Sequence, residues 1–220
     1  MTGADTPQDP GPAAERRGGL LADRNRVEAF SDGIFAIAIT LLVLDLHPPT
    51  TAGRFGAALL AQWPAYLTYL ASFAFIGVLW VNHHHLFSRV RAVDTGLLWA
   101  NLALLLTSSV LPFPTAVLGA AFQDGDPVDQ RSAALLYTGL AGLTAVAWLI
   151  IFSYLAGHPH LLQPQTGAAF FARERRRAAL GIGGYAAAAA TALILPVAAL
   201  ALCLALPLFY AFTSGGRAPR

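Results

Sequence analysis

Two carboxylates bracket the apolar run "FSDGIFAIAITLLVLDL", Phe30 to Leu46: Asp32 near its head and Asp45 near its tail. Further along, three consecutive histidines, His83 to His85, follow "LWVN". A carboxylate and an imidazole held at membrane depth are the groups of a proton relay or an ion path, because charge there is costly and is kept only with partners. Metal binding is the other chemistry that three histidines suggest. Consecutive helical residues point about 100° apart, unlike the i, i+4 pair of a helical zinc site, and no cysteine or carboxylate nearby completes a ligand set. No metal site, cofactor or catalytic group is expected. A nucleophile with a neighbouring base is also missing from the apolar segments, which argues against an enzyme.

The elements that must position these groups follow from composition. The chain has 220 residues, 56% hydrophobic and 12% charged, and a mean hydropathy of +0.56, which marks an integral membrane protein resident in a lipid bilayer. All basic residues are arginine, and the formal charge of +2 gives no reason to expect a nucleic-acid partner. Cys203 lies alone in an apolar run and reads as a small hydrophobe. Residues 1–22, rich in Pro, Gly and small side chains, read as a disordered cytoplasmic tail without the marks of a signal peptide.

Arginines divide the remainder into uncharged runs, and a span needs about 20 residues. The last run, Ala178 to Gly216, would be roughly 58 Å as one helix, so it should fold back near Pro196. The expectation is an all-α protein with six transmembrane helices at 25–46, 57–87, 93–118, 131–156, 173–193 and 196–213. Residues 23–214 then form one transmembrane domain, and 215–220 a short cytoplasmic tail. Twelve arginines fall on one side of this topology, against Arg54 and Arg131 on the other, which places both termini in the cytoplasm.

The first span is unusual because its uncharged stretch is shorter than a hydrocarbon core, so Asp32 must face helices or water. Asn25 with Glu28 resembles a capping box, and "HPP" at 47–49 stops the helix. With Ile37 placed at 0°, Leu41 falls at about 40°, Leu44 at about −20° and Thr40 at about −60°, whereas Asp32 falls near −140°. One face is therefore an aliphatic column with one hydroxyl, and the other carries the carboxylate. Trp80, Asn82, His83 and Asn101 sit at the same depth as Ser31 and Asp32, and a buried hydrogen-bonded cluster among them is expected.

"RVEAFSD", Arg26 to Asp32, resembles the R-x-x-x-F-S-D signature of the transmembrane protein 175 family of potassium channels, in its short prokaryotic version. The resemblance continues through "LWVNHHHLF" and "LLWANLALLLTSSVLPFPTAVLG", and weakens to length and order over the last three spans. It implies a homotetramer in a prokaryotic plasma membrane, with the first helix lining an axial pore for potassium ions. It also implies that Ile37 forms the constriction that gates and filters, that Leu41 and Leu44 form rings above it, and that Thr40 forms a polar layer favouring potassium modestly over sodium. Ser31, Asp32 and Arg26 would belong to the knot anchoring that helix. Asp45, at the outer end about 80° from Ile37, would either enrich cations at the external mouth or simply end the helix in water. The alternative is a proton-coupled cation transporter using Asp32 and His83; the broken helices and internal repeats typical of such proteins are not evident.

Overall fold

A computed structural model describes residues 23–50 and 53–214, so the assigned tails at 1–22 and 215–220 lie outside the described residues. The described chain is helical apart from its turns and one isolated bridge: α1 (Arg24–Leu41, prolonged by a 3-10 turn, Leu42–Asp45), α2 (Phe55–Ala61), α3 (Trp63–Phe87), α4 (Thr95–Val110), α5 (Pro112–Asp124), α6 (Pro127–Gly157), α7 (Ala168–Ala192) and α8 (Pro196–Ser214).

Each boundary has a local cause. Asp23, not Asn25, caps α1, its carboxylate accepting from the Asn25 amide at 2.9 Å. The expected capping box is absent, and Glu28 instead reaches across to His84 of α3, 3.0 Å away. The expected second span is interrupted at Gln62, where Pro64 cannot donate to the preceding turn. The third is interrupted at Leu111 by Pro112. Helices α5 and α6 run several residues beyond the expected ends, to within two residues of each other. Gly125 takes a left-handed φ of 81° that closes α5, and Asp126 caps α6 by accepting from the amides of Val128 and Asp129, with Pro127 in the first turn.

Four helical stretches are long and apolar enough to cross a bilayer: Arg24–Asp45, Trp63–Phe87, Thr95–Asp124 and Pro127–Gly157. Helix α7 has the length, but Arg173, Glu174, Arg175, Arg176 and Arg177 occupy its first half. Within α8, Pro196–Pro207 is a shorter apolar stretch.

Helix α6 packs along α7, α3 against α5, and α1 against both α3 and α4. Both helices bury small residues that permit close approach: Ala133, Ala134, Ala141 and Ala147 in α6, and Ala178, Gly181, Ala188 and Ala192 in α7. In lipid such closeness is the main source of helix association. A buried polar junction joins three helices, where Ser72 Oγ lies 2.7 Å from Thr115 Oγ1 and 3.1 Å from the Tyr137 hydroxyl.

At one end of the bundle the loop carrying Arg89 and Arg91 meets the loop between α6 and α7, which leads into the arginines at the start of α7. The Arg91 amide donates to the Leu161 carbonyl at 2.7 Å and the Gln163 amide to that of Arg89 at 2.9 Å, pairing Val90 with Leu162. At the same end Asp94 caps α4 and accepts from the Tyr154 hydroxyl at 2.8 Å. Gly96 makes this possible, since the Tyr154 hydroxyl occupies the space a Cβ at position 96 would take.

Candidate pore face and its anchor

The back of α1 buries Val27, Ser31, Phe35, Ala38 and Leu42, spaced three and four apart as one helical stripe. Its polar member starts a directional chain. The Ser31 hydroxyl donates to the Val27 carbonyl at 2.8 Å and accepts from Asn101 Nδ2 at 3.0 Å. Asn101 Oδ1 lies 3.0 Å from His83 Nε2, and since a carbonyl oxygen only accepts, that nitrogen carries the proton. Ser31, His83 and Asn101 are all buried. The His83 ring stacks on Phe87 with centroids 4.2 Å apart and meets Phe35 edge-on at 5.4 Å, and its Nδ1 has no hydrogen-bond partner.

A second link lies nearer the surface, where Trp80 Nε1 donates to Asp32 Oδ1 at 3.0 Å. Asp32 is thus bonded directly to α3 through Trp80, whereas His83 reaches α1 only through Asn101 of α4, in a separate chain of bonds. Asn82 is not part of either. It is two residues from Trp80, about 200° around α3, and faces the cavity toward α6 and α7. Shared depth suggested Asn82, but a helical wheel drawn from Trp80 separates the two. Arg26 is exposed and lines an open cleft between the starts of α1 and α4, which Asn101 also borders. Sequence reasoning missed the Glu28–His84 contact, whose signal was only that both residues flank the anchored turn.

The front of α1 is different. Ile37, Leu41 and Leu44 are 57%, 41% and 65% exposed, an unpartnered aliphatic column in the single chain. Thr40 lies beside them, exposed, with its hydroxyl donating to the Ile37 carbonyl at 2.9 Å. With its proton engaged, that oxygen presents only acceptor lone pairs forward, the polarity a cation requires. Asp45 is partly buried at the end of the 3-10 turn. Among the described residues, no three His, Cys, Asp or Glu side chains are grouped to hold a metal ion.

Long apolar helices, polar bonds buried between them and an apolar face left open on an anchored helix define a multi-pass helical membrane protein. Residues 26–112 match the family described as the endosomal/lysosomal potassium channel TMEM175. A potassium channel of Streptomyces collinus is 40% identical over 87% of this chain and 93% of its own, and one of Chamaesiphon minutus is 35% identical over 88% and 96%. The crystal structure of a lysosomal potassium-selective channel TMEM175 homolog from Chamaesiphon minutus superposes with a TM-score of 0.76, at 34% identity, over 88% of this chain and 98% of that one. The chain belongs to the TMEM175 family.

Proposed function

We propose that this protein is a potassium channel in which α1 lines a pore on the axis of a homotetramer. The observation that carries this reading is the division of α1 into a back face bolted to α3 and α4 and a front face of Ile37, Leu41 and Leu44 with nothing on it. A closed ring of identical chains gives such a face a partner, and four copies enclose an axis.

At that axis a ring of Ile37 side chains is a hydrophobic constriction. It excludes water when narrow and conducts when a small rotation of α1 dilates it. An ion crossing it sheds part of its hydration shell. The Thr40 oxygens, turned outward by their bond to the Ile37 carbonyl, replace some of that shell and favour potassium modestly over sodium. Leu41 and Leu44 continue the apolar path toward Asp45, whose carboxylate raises the cation concentration at the outer mouth. Ser31, Asp32, Trp80, His83 and Asn101 hold the helix so that the face stays in register.

Residues 23–214 form the channel domain. Six spans, with α7 and α8 as the last two, bring both termini to the cytoplasmic side of a prokaryotic plasma membrane. The arginine asymmetry supports this orientation, since Arg89 and Arg91 of the α3–α4 loop lie at the end where α1 begins, and the loop paired with theirs leads into the arginines of α7. Coupled proton transport through Asp32 and His83 has less support, because each is tied to a different partner.

The test is a bilayer recording of Ile37→Asn. A polar side chain wets the constriction, so the potassium-to-sodium permeability ratio should fall; a ratio equal to that of the unaltered channel would remove Ile37 from the pore.

A further inference from the structure

On the side of α3 turned away from α1, the space between α3, α6 and α7 is a cavity with two chemically distinct parts. The outer part, about 270 Å³, is lined by Asn82, Arg89, Phe170, Arg173, Glu174 and Arg177 among others. Its electrostatics are lopsided: three guanidinium groups face one carboxylate. Glu174 is shared, with Arg177 Nη1 at 2.8 Å and Arg173 Nε at 3.5 Å. The Arg89 and Arg173 guanidinium carbons stand 4.5 Å and 5.9 Å from the Phe170 ring centroid. Positive charge therefore remains in surplus at this end.

The inner part is a narrow crevice of about 60 Å³ that shares Asn82, Phe152, Glu174 and Arg177 with the outer one. Beyond them its walls turn apolar, with Ala145, Trp148 and Ala178 deeper in. From Arg177 to Tyr185, which also lines it, the cavity follows α7 for about 12 Å. The polarity thus changes from cationic to apolar along one helix, starting at the end of the bundle where the Arg89 loop pairs with the α6–α7 loop.

We propose that this cavity binds an anionic phospholipid, with the phosphate among Arg89, Arg173 and Arg177 and the first methylenes of one acyl chain in the crevice beside Trp148. Guanidinium forks match phosphate oxygens in geometry as well as charge, and a basic pocket between membrane helices is suited to an anionic head group. A free anion would satisfy the outer part and leave the apolar crevice empty; a lipid fills both. The inference is independent of the pore, and its readout is binding rather than current.

The full chain, purified in a neutral detergent, is titrated separately with phosphatidylglycerol, phosphatidylcholine and inorganic phosphate, and bound lipid is counted by native mass spectrometry. Phosphatidylglycerol should bind, with phosphatidylcholine and phosphate giving no comparable occupancy. The double variant R89Q/R173Q should weaken phosphatidylglycerol binding roughly tenfold. The control R175Q/R176Q removes two exposed arginines of the same helix outside the cavity and should leave binding within about twofold. Ala145→Leu, which keeps every arginine and fills the crevice, should also weaken it, and it decides the question alone if the double variant does not fold. Equal losses in the two arginine pairs, undiminished binding by Ala145→Leu, or phosphatidylcholine or inorganic phosphate reaching the occupancy of phosphatidylglycerol would each overturn the site.

Discussion

The two faces of α1 differ by only a few residues in sequence and by their whole energetic role. On the back, Phe35 is 1% exposed, Ser31 is fully enclosed and bonded to Asn101, and Asp32 is bonded to Trp80. On the front, side chains of the same apolar type are open. In a membrane, apolarity alone does not distinguish these environments, because lipid tails and protein interiors are equally apolar. Polar partners do: an unpaired hydroxyl or amide in hydrocarbon is costly, so Ser31 and Asn101 select which face turns inward. The aliphatic front is then defined by what it lacks.

The largest effects should come from breaking the back. Phe35→Ala opens a cavity beside the His83 ring and should cost about 3 kcal/mol, read as a drop in the thermal unfolding midpoint of the purified protein. A variant with an unchanged midpoint would mean that the α1–α3 contact is not a supporting one. Asn101→Leu strands both Ser31 and His83, and the expected loss is about 2 kcal/mol. Its double-variant cycle with Ser31→Ala should be non-additive if the chain acts as a unit.

Asp32→Ala leaves Trp80 Nε1 unpaired at a more exposed point, so about 1 kcal/mol is expected. It should damage folding or assembly and spare ion preference; an intact assembly with altered selectivity would move Asp32 to the front-face role. The front-face variant Ile37→Asn makes the opposite pairing. Its effect on the stability of the folded protomer should stay within about 0.5 kcal/mol, while the permeability ratio changes. Together the two substitutions test whether anchoring and permeation are separable on one helix.

The smallest effect concerns the other bolt at this end, where Asp94 caps α4 and holds Tyr154. Burial pushes the Asp94 carboxyl up, but the Leu97 amide, the Tyr154 hydroxyl and nearby His158 and His160 together hold it below the ordinary carboxylate value. A group lowered in the folded state stabilises fully above its unfolded value, near pH 4, and that contribution is lost as pH falls through the folded value. Asp94→Asn should therefore flatten the acid side of the stability curve between roughly pH 5 and pH 3. Equal acid sensitivity in the two proteins would assign the acid loss to other carboxylates.

Sequence alone determined that the chain is an integral membrane protein, because 56% hydrophobic content and uncharged runs of span length admit little else. It also separated Asp32 from the Ile37 column, since helical periodicity needs no tertiary information. The anchor's partners were narrowed by depth to Trp80, Asn82, His83 and Asn101, but depth is one coordinate, and rotation about α3 is another. Only the packed helices decided that Trp80 and His83 face α1 and that Asn82 faces away.

The breaks at Gln62 and Leu111 followed prolines visible in the sequence, although whether a proline bends or splits a helix depends on what satisfies the freed carbonyl. What no linear pattern contained was the meeting of Arg89 with Arg173 and Arg177. Residues more than eighty positions apart came together because the Val90–Leu162 bridge ties the Arg89 loop to the loop that leads into α7. Local periodicity sets what each helix presents; long-range packing chooses which presentations meet.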